Sequence, residues 1–169
     1  MMKLLLENWK TYINEIEKKD FDKVYYWQTS GPYRGQVEFG VTHVPKAIPR
    51  QMGNVEEIFE AVRKEFYPER PSRYDCVFLC ENLEGFSGRS FCRFPAKNDG
   101  ETYEVKLQGD FKVFRANAEY FTEAVFRKDM AEEYAHEYWK GKESNITFLE
   151  VLVSPAQSAI ITSIHKRLS

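Results

Sequence analysis

A single carboxylate, Glu150, lies inside an apolar run near the C-terminus, NITFLEVLVSP at residues 145–155. Strand alternation divides this run into two mainly apolar faces, which predicts a central strand covered on both sides. The faces are Ile146, Phe148, Glu150 and Leu152 on one side, and Thr147, Leu149, Val151 and Val153 on the other. An unpaired buried charge is too costly. Glu150 is therefore either a tuned catalytic carboxylate in a cleft, the partner of a buried arginine, or a solvated residue on an edge strand.

A second polar set precedes another apolar stretch, in ERPSRYDCVF at residues 69–78. Ser72 and Arg73 lie at the mouth of the strand that this stretch predicts, where side chains can reach a cleft. The fork of an arginine suits a diphosphate, and a serine hydroxyl can hold a neighbouring group. The alternative is an ordinary solvated Pro-Ser bend.

A third set follows an aromatic strand, in YYWQTSGPYRG at residues 25–35. Tyr26 and Trp27 stand beside a polar stretch in which two glycines free the backbone around Arg34. Aromatic rings next to such a loop can stack on a flat ring. Core aromatics followed by a surface loop explain the same pattern.

Histidine and cysteine are sparse and unfavourably spaced. His136 stands alone on a predicted helix, where a structural or solvated role is the usual one. The three cysteines, Cys76, Cys80 and Cys92, include no CxxC pair, and their odd number argues against a disulfide framework and favours a reducing compartment. No metal site is expected, because the histidines have no ligand-like spacing to each other or to the cysteines.

The composition fits one globular domain. The chain has 169 residues, of which 43% are hydrophobic and 15% aromatic, and its formal net charge is −2. No global basic field draws it to nucleic acid. The apolar runs are far shorter than the ~20 residues that span a bilayer. The N-terminus lacks the pattern of a signal peptide, because Glu7 and Asn8 follow LLL at once.

The elements that would position these residues follow from hydrophobic periodicity. Predicted helices cover residues 2–19, the stretch from Asn54 to Pro68 with a capping-box-like start, and about 120–139. Predicted strands cover 23–28, roughly 73–80, 88–94, 101–108, the following KVFRA, the Glu150 strand and QSAIITSI. A long loop at 29–54 suggests a functional or mobile segment. Because strands and helices do not alternate, we expect an α+β fold with mostly antiparallel strands.

The order of these features resembles the ADP-ribosyltransferase superfamily over about residues 23–164. That family combines a first strand ending in Arg or His, a second with a Ser, Thr or Tyr motif, and a late strand with a catalytic Glu. The corresponding stretches are YYWQTSGPYRG, RPSRYDCVFL and FLEVLV. FLEVLVSPAQSAIITSI is similar to a region of DNA-modifying toxins of this superfamily. The EYWKG stretch followed by EVLV resembles uncharacterised bacterial and phage domains.

This resemblance implies a split, mostly antiparallel sheet with flanking helices, and NAD as substrate without a metal. Glu150 would be catalytic, stabilising the ribosyl cation formed as nicotinamide leaves. Arg34 or Arg73 would bind the diphosphate, and Ser72 would position the ribose. Nicotinamide would stack on Tyr26, Trp27 or Tyr74. The acceptor would be a protein, a nucleic acid or water. Phe148 replaces the companion carboxylate of arginine-modifying members, which argues against an arginine acceptor.

The N-terminal stretch carries a second resemblance. MKLLLENWKTYINE is similar to leaders that target internal proteins of T-even-like phages to the prohead, where a maturation protease cuts after Leu-x-Glu or Ile-x-Glu. The matching sites are Leu5-Leu6-Glu7 and Ile13-Asn14-Glu15. Residues 1–20 would then be a helical leader and 21–169 one domain, packaged in a capsid and delivered to the host cytoplasm. The alternatives are an amphipathic helix docked on the domain, and a non-catalytic binding or internal capsid protein that keeps the fold.

Overall fold

Six strands and three α-helices make up the described part of the chain, which in this computed structural model comprises residues 22–29, 31, 33–46, 54–83, 100–141 and 149–165. The strands are β1 Tyr25–Gln28, β2 Val77–Leu79, β3 Thr102–Leu107, β4 Lys112–Asn117, β5 Leu149–Ser154 and β6 Ala159–Ile164. The helices are α1 Val55–Phe66, α2 Ala118–Phe126 and α3 Ala131–Lys140, with 3₁₀ turns at Lys128–Met130 and Ala156–Ser158. The predicted helix at 2–19 and the predicted strand at 88–94 lie outside the described residues.

The strands form two small antiparallel sheets. Sheet A has the order β1-β3-β6, and sheet B has the order β2-β5-β4. Helices with two mostly antiparallel sheets confirm the predicted α+β class with a split sheet and flanking helices. The strand that carries Glu150 is the central strand of sheet B, as its two apolar faces predicted.

A single backbone bridge joins the two sheets in the described part of the chain. Tyr26 at the start of sheet A and Cys80 at the end of β2 exchange two hydrogen bonds, each of 2.8 Å. On the far side of sheet A, residues 40–44 pair with β6, through bonds such as that from the Ile161 amide to the Thr42 carbonyl at 2.9 Å. Part of the long 29–54 segment therefore extends the sheet.

Side-chain alternation along β5 divides the core into two clusters. Val151 and Val153 belong to the cluster between the two sheets, together with buried residues of β1, β2 and β3. Leu152 belongs to the cluster under the three helices, with Phe59 of α1 and Trp139 of α3. Because faces alternate with period two, Glu150 shares the helix-facing side with Leu152.

The prediction of one continuous helix at about 120–139 is wrong, because the structure has two helices there. The chain leaves the helical conformation at Arg127, where φ is −122° and ψ is 70°, and a 3₁₀ turn separates α2 from α3. In the sequence, Phe126, Met130, Tyr134 and Tyr138 recur at i+4 steps, which predicts one apolar stripe. The break shifts the helical register, so Phe126 is 80% exposed. Tyr138 itself is fully buried. The start of α1 also differs, since the Asn54 side chain makes no capping bond.

Candidate functional site

Glu150 is buried and ion-paired. It is the second residue of β5, and only 3% of its surface is exposed. Its Oε1 accepts a hydrogen bond from Nη1 of Arg73 at 2.6 Å and another from the hydroxyl of Tyr138. Of the alternatives that the sequence left open, the observed arrangement is the buried pair with an arginine.

Arg73 is the centre of this cluster. It is 7% exposed, and Nε and Nη2 donate to the Glu56 carboxylate of α1 over 3.0–3.2 Å. Nη1 also donates to the Tyr138 hydroxyl at 2.6 Å. Glu56, Arg73, Tyr138 and Glu150 are called the Arg73 cluster below. All three types of guanidinium nitrogen are thus engaged by protein oxygens.

Aromatic rings cover the faces of the Arg73 guanidinium. Its central carbon lies 4.1 Å from the ring centroid of Phe121 on α2 and 4.7 Å from that of Phe78 on β2. Cation–π contacts of this kind are strongest when water is excluded. One guanidinium therefore connects all three helices with two strands of sheet B.

Burial and close neighbours together set the pKa values of Arg73 and Tyr138. Burial lowers the pKa of Arg73, but the neighbouring Tyr138, Glu150 and Glu56 outweigh burial and raise this pKa well above its usual value. Burial raises the pKa of Tyr138 well above 10, with Arg73 opposing and Glu150 adding to the shift. The Tyr138 hydroxyl therefore keeps its proton and donates a hydrogen bond to Glu150.

Cys76 lies beside this cluster as a free thiol. Its Sγ donates to the Arg73 carbonyl at 3.6 Å, and burial raises its pKa to about 12. A thiol held so far from ionisation is a poor nucleophile at neutral pH. Cys80 takes part in a disulfide, whereas the cysteine count argued against a disulfide framework.

Ser72 and Tyr74 lie next to Arg73 but serve the turn that precedes β2. The Ser72 hydroxyl donates to Glu60 of α1 at 3.0 Å and accepts from the Tyr74 amide at 3.2 Å. Arg63 holds the same Glu60 with two bonds of 2.8 and 2.9 Å. Burial raises the pKa of Tyr74, with Glu56 adding to the shift. Both hydrogen bonds of the Ser72 hydroxyl are therefore made within the protein.

The two predicted diphosphate ligands, Arg34 and Arg73, lie in different environments. Arg73 already donates to Glu56, Glu150 and the Tyr138 hydroxyl, so a phosphate would have to compete with these three groups. Arg34 is exposed in the segment after β1 and is not part of the Arg73 cluster. Of the predicted set, the structure brings Ser72, Arg73, Tyr74 and Glu150 together beside α1, whereas Tyr26, Trp27 and Arg34 belong to sheet A and its flanking segment.

Trp27 belongs to a group of three rings at the end of sheet A, here called the aromatic corner: Trp27, Tyr33 and Tyr103. Trp27 of β1 and Tyr103 of β3 are direct cross-strand partners, and their rings stack with centroids 5.5 Å apart. Tyr33 packs edge-on against Trp27 at 5.2 Å and against Tyr103 at 6.3 Å. Trp27 and Tyr33 are half-buried, and Tyr103 is buried.

Glu101 supplies the charge at the aromatic corner. Its Oε2 accepts from the Tyr103 hydroxyl at 2.7 Å and from the Tyr33 amide at 3.2 Å. Burial raises the pKa of Tyr103 to about 12, and the bond to Glu101 adds to the shift. The sequence interpretation missed Glu101 and both tyrosines. The i, i+2 spacing of Glu101 and Tyr103 at the start of a predicted strand was the available signal.

Tyr26 points to the opposite face of sheet A. Its cross-strand partner is Glu104, and its ring packs edge-on against His165 at 5.3 Å. Glu104 accepts a hydrogen bond from Ser163 at 2.7 Å and lies 3.2 Å from Nδ1 of His165. The bond from Ser163 is the main cause of a lowered pKa of Glu104, and the contact with His165 adds to it. The three residues predicted to stack on nicotinamide, Tyr26, Trp27 and Tyr74, therefore lie in three separate places.

His136 makes structural contacts on α3. Its Nδ1 lies 3.5 Å from the Tyr67 hydroxyl, and its ring packs against Phe66 at 4.8 Å.

Within the described ranges, no group of three or more His, Cys, Asp or Glu side chains is arranged to hold a metal ion. No helix of the described part is long and apolar enough to cross a membrane.

The described part of the chain defines an α+β domain with two three-stranded antiparallel sheets and a buried arginine–carboxylate cluster under its helices. A family model described as a protein of unknown function, DUF2441, matches residues 7–166. The chain therefore belongs to the DUF2441 family. It has no match among curated proteins.

Proposed function

We propose that this chain is a ligand-binding domain on an ADP-ribosyltransferase-like fold that does not use Glu150 as a catalytic carboxylate. The observation that carries this proposal is the burial of Glu150 at 3% exposure against Arg73. A carboxylate stabilises a ribosyl cation only if it faces the developing charge at close range. In this chain the positive charge that Glu150 faces belongs to the protein.

The orientation of β5 supports the same proposal. Glu150 lies on the side of sheet B that faces the helices, whereas the side facing sheet A carries Val151 and Val153. A ligand held between the two sheets would meet these valines and not the carboxylate. Reaching Glu150 would require breaking its bonds to Arg73 and Tyr138.

The test is release of nicotinamide from NAD, followed by chromatography, for wild type and Glu150→Gln. We expect neither protein to release nicotinamide above the rate of NAD alone, and neither to label a cell lysate with biotinylated NAD. Circular dichroism must show that the variant is folded. Time-dependent release by wild type that a folded Glu150→Gln variant lacks would refute the proposal.

A second candidate is NAD-dependent ADP-ribosyl transfer to a protein or nucleic-acid acceptor. It is favoured by the split antiparallel sheets and by the 2.6 Å contact between Arg73 and Glu150, which come from two of the three stretches that resemble the superfamily. Transfer would require Arg73 to leave Glu150 when NAD binds. The release assay above decides between the two candidates. Only ADP-ribosyl transfer predicts that wild type releases nicotinamide and that Glu150→Gln does not.

The leader-like N-terminus supports a separate proposal about location, namely packaging in a phage prohead and delivery to the host cytoplasm. Cleavage after Glu15 would leave Ile16 as the first residue, and cleavage after Glu7 would leave Asn8. Mass spectrometry of purified virions tests this proposal directly. An intact Met1 in purified particles would contradict processing.

A further inference from the structure

We propose that the aromatic corner, together with Glu101, binds a planar heteroaromatic ring that carries an N–H donor. The proposal rests on the binding function proposed above and specifies its ligand class and its location. Three observations carry it: the exposure of the rings, the orientation of one carboxylate, and a glycine that leaves room for Tyr33.

The rings provide a stacking surface at the end of sheet A. Trp27 and Tyr33 are half-buried, so each residue keeps part of its surface open to solvent, and the buried Tyr103 packs against both rings. The perpendicular arrangement of Trp27 and Tyr33, with an interplanar angle of 85°, makes a corner with two differently oriented walls. Flat heteroaromatic rings stack well on such side chains.

Glu101 gives the corner its chemical selectivity. Both of its described side-chain bonds end on Oε2, from the Tyr103 hydroxyl and the Tyr33 amide. These bonds fix the plane of the carboxylate and leave Oε1 as the acceptor for a ligand. A carboxylate beside aromatic rings favours a ligand ring with an N–H group over one without a donor, because a charge-assisted hydrogen bond is stronger than a neutral one.

Gly35 makes room for Tyr33. A Cβ at position 35 would lie 2.5 Å from Cε1, Cζ and the hydroxyl oxygen of the Tyr33 ring. A Cβ at this distance forces the far end of the Tyr33 ring to shift, which changes how Tyr33 packs against Trp27. Gly35→Ala therefore disturbs the corner without changing any of its functional groups.

The probes are theophylline and caffeine, two planar rings that differ by a single N–H that is N-methylated in caffeine. Titration of the full chain, followed by chemical-shift changes in NMR, measures both affinities. We expect theophylline to bind at least about tenfold more tightly than caffeine, the effect of one charge-assisted hydrogen bond.

Three variants locate the binding. Glu101→Gln should abolish the preference for theophylline over caffeine, and Gly35→Ala should weaken both probes by about tenfold, the effect of losing one stacking ring. Glu104→Gln is the matched control on the other face of β3 and should change neither affinity. Equal affinity for the two probes, or binding unchanged by Glu101→Gln and Gly35→Ala, would overturn the proposal.

The two proposals fail separately. Nicotinamide release depends on Glu150, whereas theophylline binding depends on Glu101 and Gly35 at the end of sheet A. Nicotinamide release by wild type that Glu150→Gln lacks, together with a preference for theophylline, refutes only the proposal that Glu150 is not catalytic. Wild type that does neither refutes only the aromatic-corner site.

Discussion

Nη1 of Arg73 and Oε1 of Glu150 are 2.6 Å apart, which joins the turn before β2 to the central strand of sheet B across 77 residues of sequence. The same guanidinium holds Glu56 of α1 at 3.0 Å. Removing one member of such a buried arrangement is costly, because the others are left charged in a poorly solvated place. The contact therefore supports the packing of the helices on sheet B.

Arg73→Met should destabilise the domain by about 3–5 kcal/mol, because it leaves Glu56 and Glu150 buried without their cation. Urea unfolding at pH 7, followed by fluorescence, measures the change. Arg34→Met is the control, since Arg34 is exposed, and it should stay within about 0.5 kcal/mol of wild type. A loss below about 1 kcal/mol for Arg73→Met would show that the Arg73 cluster does little for stability.

The stability of the domain should fall as the pH rises above about 9. Burial raises the pKa of Cys76 from 9.0 to about 12, so the folded state keeps a proton that the unfolded state releases. This contribution is fully present below pH 9 and is lost as the pH rises towards 12, at about 1.4 kcal/mol per unit. Urea unfolding at pH 8 and pH 10.5 should show a loss about 2 kcal/mol larger in wild type than in Cys76→Ala. Equal losses in the two proteins would contradict this assignment.

Glu81 should stabilise the domain at neutral pH and not in acid. Burial works against its ionisation, but hydrogen bonds from Lys23 and Arg115 outweigh burial and lower the pKa of Glu81 below 4.5. The stabilisation is present above pH 4.5 and is lost as the pH falls through the lower folded value. Glu81→Gln should lower the free energy of unfolding by about 1–3 kcal/mol at pH 7. The difference in this free energy between the variant and wild type should become smaller below pH 4. A gap that stays constant with pH would exclude this mechanism.

Asn117 and Asn54, which precede α2 and α1, should differ in how much their side chains stabilise the domain. Oδ1 of Asn117 accepts from the Glu119 amide at 3.0 Å and caps α2, whereas the Asn54 side chain makes no capping bond to α1. Asn117→Ala should therefore cost about 1 kcal/mol, and Asn54→Ala should cost much less. Thermal unfolding of both variants gives the comparison. A larger loss for Asn54→Ala would mean that the capping box predicted from the sequence forms in solution.

Much of the fold could be predicted because the signals were local. The two apolar faces around Glu150 predicted β5, and the helical spacing of apolar residues between Asn54 and Pro68, such as Val55, Phe59 and Val62, predicted α1. The break at Arg127 was not predictable in this way. The sequence across it contains neither Gly nor Pro, and the i+4 stripe continues through it.

The site was harder to predict, because the role of each residue depends on contacts with residues that are distant in sequence. Periodicity identified Glu150 as a buried carboxylate in need of a partner, but no local pattern showed that Arg73 is that partner. The same limit applies to Trp27, whose neighbours Tyr33 and Tyr103 come from a different segment and a different strand. Residue types indicated which groups needed explanation, and tertiary pairing decided what each one does.

The order of strands in the two sheets has a consequence for how the chain acquires its structure. β1 pairs with β3, β3 with β6 and β2 with β5, and even the consecutive strands β4 and β5 are separated by two helices. No pairing of named strands is therefore a simple hairpin, and each requires the closure of a long loop before it gains any stability. We expect slow, cooperative folding in which neither half of the chain forms its sheet without the other. A ribosome must release β6 before β3 has both of its neighbours.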